Sequence, residues 1–140
     1  MATKARLLLL ALLILALIGT GVELLLLGHY ESVIQCLPLA MIAAALPALI
    51  WNETRRSPTS TYVFAGTMAA LTLAGLAGLI FHYQGNVAFE LEMRPALKGL
   101  PLLWESVRGA TPALAPAVMI YTGLTGLAYH LLCKPESDTR

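Results

Sequence analysis

Glu23 is the only carboxylate in any of the apolar spans of this sequence. An ionisable group inside a membrane span marks a functional site by default, because burying a charge in hydrocarbon is expensive. Such a group has three uses: it carries a proton or cation, it meets a polar group of a partner subunit, or it bonds to a neighbouring helix. The stretch around it, 21–38 (GVELLLLGHYESVIQCLP), turns through Gly28, His29, Tyr30 and Glu31 and at once re-enters apolar sequence.

His29 and His82 end two apolar spans that should come out on the same outer face, together with Glu31, Glu90 and Glu92. Glu23 lies about 6 Å below that face at a helical rise of 1.5 Å per residue. Imidazoles suit Zn, Cu, Fe and Ni, so a metal-binding reading needs His29 and His82 to converge. No H-E-x-x-H motif or Cys/His ligand spacing accompanies them, and no metal or other cofactor is expected. Nothing matches a phosphate-binding glycine loop, a nucleophile elbow or a catalytic triad, and a non-enzymatic protein is expected. Cys36 and Cys133 form no C-x-x-C pair and fall near opposite membrane faces, whereas a disulfide needs Cα atoms within about 7 Å.

The elements that must place these groups are membrane helices. The chain has 140 residues, 58% hydrophobic and 12% charged, against about 25% charged in soluble domains. A net charge of +1 provides no basic stripe for nucleic acid. Four apolar spans are expected, at 7–27, 33–51, 62–81 and 113–133, each near the roughly 20 residues that cross a 30 Å hydrocarbon core. They predict an all-α, antiparallel up-and-down bundle in one domain, with an outer segment 83–111 and a polar tail 134–140. The first span carries no A-x-A site after its apolar run and is expected to stay as an uncleaved helix.

Within the first span, Ala16, Thr20 and Glu23 recur at helical spacing and should face the other helices. Ser32 and Gln35 form an S-x-x-Q capping box that starts the second span. Ala40, Ala44 and Ala48 make one every-fourth small ridge, and Gly66, Ala70, Ala74 and Gly78 make another. The two ridges predict a tight hairpin of the second and third spans. Residues 52–60 read as a polar loop. Residues 87–94 (VAFELEMR) alternate apolar and polar, the pattern of a half-exposed strand. A short helix follows at 100–108, with Pro101 near its start and Trp104 suited to the membrane interface. Thr111 and Pro112 should then begin the fourth span.

Six of the nine Lys and Arg residues (Lys4, Arg6, Arg55, Arg56, Lys134 and Arg140) fall on one side of this layout, and Arg94, Lys98 and Arg108 on the other. The positive-inside bias then puts both termini in the cytoplasm, of a bacterial plasma membrane. The leading expectation is an accessory or structural subunit of a larger membrane complex, in contact with lipid and other membrane subunits. Phe89, Glu90, Leu91, Glu92 and Trp104 would form its docking surface. A small oligomeric transporter coupled to protons or cations through Glu23 is the alternative.

Overall fold

The computed structural model describes residues 2–109, 111–112 and 114–133. Among these it contains five helices and no strand: α1 (Ala2–Leu26), α2 (Val33–Arg55), α3 (Pro58–Met93), α4 (Gly99–Val107) and α5 (Ala117–Cys133). Three of them, α1, α2 and α3, are long and apolar enough to cross a membrane. Their outward faces carry many exposed Leu, Ile and Val side chains, apolar surface of the kind that marks a membrane or protein contact.

α1 packs against α2 and α5, and α3 packs against the same two helices. Leu13 and Leu17 of α1, Ile42, Ala45 and Leu49 of α2, Phe64, Met68 and Leu71 of α3, and Met119 and Tyr129 of α5 make the shared core. The start of α1 and the ends of α2 and α5 meet at one pole through Arg6, Glu53 and Tyr129. α4 packs on the far part of α3.

The connections are tight because local capping is strong. The Ser32 hydroxyl accepts from the Gln35 N–H and the Gln35 side chain accepts from the Ser32 N–H, the expected box. Residues 52–60 do not form the expected loop. α2 runs on to Arg55, Arg56 closes it in the left-handed region at φ 47°, and Ser57 caps α3 through Ser60, with Pro58 in the first turn. Pro at the first turn of a helix costs nothing, since its missing N–H would be unpaired there anyway.

The strand expected at 87–94 is helix instead. α3 continues without a break to Met93. Ala, Glu, Leu and Met are strong helix formers, and a helix satisfies its own backbone where a lone strand has no partner. At 36 residues and 1.5 Å each, α3 is about 54 Å long, well beyond the 30 Å of a hydrocarbon core. The outer segment 83–111 is thus mostly helical, made of the last turns of α3 and of α4. α5 begins at Ala117, after a ladder of short-range turns in which Ala115, Ala117, Val118 and Met119 each donate to the carbonyl three residues back. Ala113 and the tail 134–140 lie outside the described residues.

The close helix approach is not the expected pairing of α2 with α3. Ala40 and Ala44 are exposed and Ala48 is buried. A Cβ on Gly66 would meet open space, Ala70 is half-buried, and Ala74 packs against the core. The tight contact joins α3 to α5. A Cβ on Gly75 would lie 2.9 Å from the Ile120 backbone nitrogen, and one on Gly123 would lie 2.6 Å from the Met68 carbonyl oxygen. Gly78 likewise lies against Pro116. On α3 the close approach is at Gly78 of the expected ridge and at Gly75 beside it, and the glycines of α5 that complete it, Gly123 and Gly126, are three residues apart.

Candidate ligand cavity and polar poles

Between the helix ends at the pole opposite Arg6, Glu53 and Tyr129 lies a cavity of about 520 Å³. Thr20 and Glu23 of α1, Gln35 and Pro38 of α2, and His82 of α3 line it, and His29 closes it from the turn between α1 and α2. Much of the opening stretch 21–38 is therefore one wall of a single hollow. The remaining wall is mostly apolar, with Leu24, Leu27, Ile34, Phe81 and Met119 beside Thr111. Ligand sites are commonly hollows of roughly 300–1,000 Å³, apolar with a few convergent polar groups.

Helical spacing explains the convergence. Thr20 and Glu23 are three apart on α1, so they share a face. Thr20 is buried, while Glu23, nearer the rim, opens into the cavity. The left-handed Gly28, at φ 66°, reverses the chain after α1 and carries His29 back over the hollow. His82 lies near the point where α3 leaves the core.

The His29 and His82 rings stand 6.4 Å apart between centroids, tilted by 46°. Among the described residues, no group of three His, Cys, Asp or Glu side chains is placed to hold a metal ion. His82 Nδ1 lies 3.1 Å from the Pro112 carbonyl oxygen. A carbonyl only accepts, so Nδ1 carries the proton, and in the neutral ring Nε2 keeps its lone pair. Burial, and then the neighbouring His82, hold the His29 pKa below the ordinary imidazole value. Glu31 is exposed and does not line the cavity.

Beyond this hollow, α4 is fastened to the far part of α3. Asn86 is buried, and its Nδ2 donates to the carbonyls of Ser106 (2.8 Å) and Thr111 (2.6 Å) while its Oδ1 accepts from the Thr111 N–H (3.1 Å). Arg94 pairs with Glu90 one turn back and with Glu105 of α4 at 3.5 Å. These carboxylates hold the Arg94 pKa above its usual range, the hydrogen bond to Glu90 most strongly. Glu90 is accordingly 9% exposed, an internal fastener, whereas Phe89, Leu91, Glu92 and Trp104 are exposed on the head that α3 and α4 build.

A second polar cluster sits at the opposite pole. Glu53 accepts from Arg6 Nη2 at 2.5 Å and from the Tyr129 hydroxyl at 2.5 Å, and Arg6 Nε donates to that hydroxyl at 3.1 Å. Arg56 approaches the same carboxylate at 3.7 Å, and Tyr129 meets Phe64 edge-on. Sequence reasoning missed this cluster, because its members come from α1, α2 and α5 and no local spacing joins them. Comparison with protein-family models, with curated proteins and with solved structures returned no match.

Proposed function

We propose that the chain is an integral membrane protein of four spans, α1, α2, the first part of α3 and α5, that binds an amphipathic small molecule in its outer cavity. The observation that carries this reading is the meeting of Glu23, His29 and His82 on one mostly apolar hollow. An apolar wall with polar groups at one end suits a ligand with a head and a tail. α5 is short at 17 residues, about 25 Å, but the turns at 114–116 lengthen its path. The Lys and Arg bias supports cytoplasmic termini and an outer cavity. Beneath the cavity, Leu17, Ile42, Leu71 and Met119 surround a hollow too small for water, which favours holding a ligand over conducting one. In lipid nanodiscs, an environment-sensitive amphiphile should bind the protein and lose that binding in Ala77→Phe, which fills the lining. Equal binding by a folded Ala77→Phe would sink the reading.

A second reading, an accessory subunit of a larger membrane complex, is supported by the α3–α4 head. Its buried Asn86 and its Arg94 pairs hold a fixed surface on which Phe89 is 49% and Trp104 61% exposed. Apolar groups held rigidly outside the spans suit a protein partner. Replacing Phe89 and Trp104 by Ala should release co-purifying chains in mild detergent. A chain that always runs alone argues against this reading.

A further inference from the structure

We infer that the occupant of the outer cavity is a protonated lipophilic amine, with its ammonium group on Glu23 and its chain along Leu24, Leu27 and Phe81. This rests on the cavity being an amphiphile site and adds the charge of the head group.

The argument is one of charge and hydrogen-bond polarity. Among the described residues, Glu23 is the one Asp, Glu, Lys or Arg side chain on the lining. The basic residues at this pole, Arg94, Lys98 and Arg108, belong to the head and do not line the cavity. Burial, and then the proximity of His82, disfavour a proton on His29, so positive charge on that ring does not compete for the carboxyl of Glu23. His82 spends its Nδ1–H on the Pro112 carbonyl, which leaves Nε2 as its other polar atom. Gln35 is already committed to the Ser32 cap through its Oε1. The lining therefore offers a carboxylate and a ring nitrogen to a donor that carries positive charge. An ammonium group carries N–H donors that suit either acceptor, and a charge-assisted hydrogen bond to the Glu23 carboxylate is of the strong kind. A carboxylate head would face Glu23 with like charge, and an alcohol head would forgo the charge term. The exposed face of Phe81 adds an aromatic surface of the kind cations favour.

Three probes of equal chain length separate the possibilities: dodecylammonium, dodecanol and laurate, titrated near neutral pH into the protein in phosphatidylcholine nanodiscs, with empty discs subtracted. Dodecylammonium should bind about tenfold more tightly than either competitor. Glu23→Gln keeps the shape and removes the charge, and should erase that preference while dodecanol binding holds. Equal binding of all three probes to the wild-type protein overturns the amine assignment and leaves the amphiphile site standing. Binding of none above empty discs overturns both. A preference for the amine that survives in Glu23→Gln overturns the role of Glu23. The ranking of the three probes on the wild-type chain needs no variant, so the assignment stays testable even where Glu23→Gln fails to fold.

Discussion

The rings of His29 and His82 stand 6.4 Å apart at the mouth of the outer cavity, although one lies in a turn and the other far along α3. Their proximity has a consequence in pH. Burial and then His82 depress the His29 pKa, so the folded chain takes this proton less readily than the unfolded chain, whose imidazole titrates near about 6.5. Between the depressed value and 6.5 the unfolded state binds more protons. Stability therefore rises with pH through that window and falls as the pH drops below about 6.5. His82 and Glu23 are the other titratable groups on the lining. Thermal midpoints of the purified protein, taken from neutral to mildly acid pH, should fall less steeply in His29→Gln than in the wild type. Identical slopes would refute the coupling.

Asn86 should be the most sensitive residue of the α3–α4 head. It is buried and makes three hydrogen bonds to backbone groups, one to Ser106 of α4 and two to Thr111 in the segment that follows. Asn86→Ala removes all three and leaves buried carbonyls unpaired, at about 1–3 kcal/mol for an unsatisfied group. Asn86→Asp should do no better, because it turns a carboxylate toward two carbonyl oxygens. Amide exchange should speed up across 99–109 in both variants while the core of α3 keeps its protection. Unchanged exchange there would show that α4 is held by something else.

The opposite pole predicts an order of costs. Glu53 is the shared acceptor of Arg6 and Tyr129. Glu53→Ala leaves a half-buried guanidinium and a buried hydroxyl without their carboxylate, whereas Tyr129→Phe removes one donor and keeps the edge-on contact with Phe64. Breaking one side of a partly buried pair costs more than deleting a neutral donor. Thermal unfolding should rank Glu53→Ala below Tyr129→Phe, and the double variant should lose less than the two losses added. Additive losses would mean that the groups act separately.

Much of this was legible in the sequence, where the signal is local. Apolar length marks α1, α2 and the first part of α3, and the Ser32–Gln35 pair marks the start of α2 as found. Glu23, His29 and His82 stand out by type alone, since charged and titratable groups are costly near hydrocarbon. Two signals misled. Alternation at 87–94 resembled a strand, but continuity of the preceding helix and the lack of a partner strand decided for helix. Small residues every fourth position pointed α3 at α2, whereas the packing of Gly75 against Ile120 and of Gly123 and Gly126 against Met68 identifies α5 as the close neighbour. The Arg6–Glu53–Tyr129 cluster was beyond reach, because it joins three helices through residues with no periodic relation.

The α3–α5 contact makes the sharpest mutational prediction, because the glycines differ in what their missing side chains face. At Gly123 an added Cβ would stand 2.6 Å from the Met68 carbonyl oxygen and 2.9 Å from the Thr72 nitrogen. Both are backbone atoms of α3, held by the helix, and cannot swing aside. At Gly126 the same methyl would meet the Met68 side chain, a flexible thioether able to change rotamer. At Gly66 it would meet nothing within 4 Å, and helix propensity alone favours alanine over glycine by about 1 kcal/mol. Gly123→Ala should therefore force the helices apart and cost about 1–3 kcal/mol, as overpacking does. Gly126→Ala should cost less, and Gly66→Ala should be neutral or stabilising. Thermal unfolding in one detergent puts the three on a common scale. An equal loss for Gly123→Ala and Gly66→Ala would contradict the close approach of α3 and α5, and with it the packing that brings His82 and Met119 to one cavity.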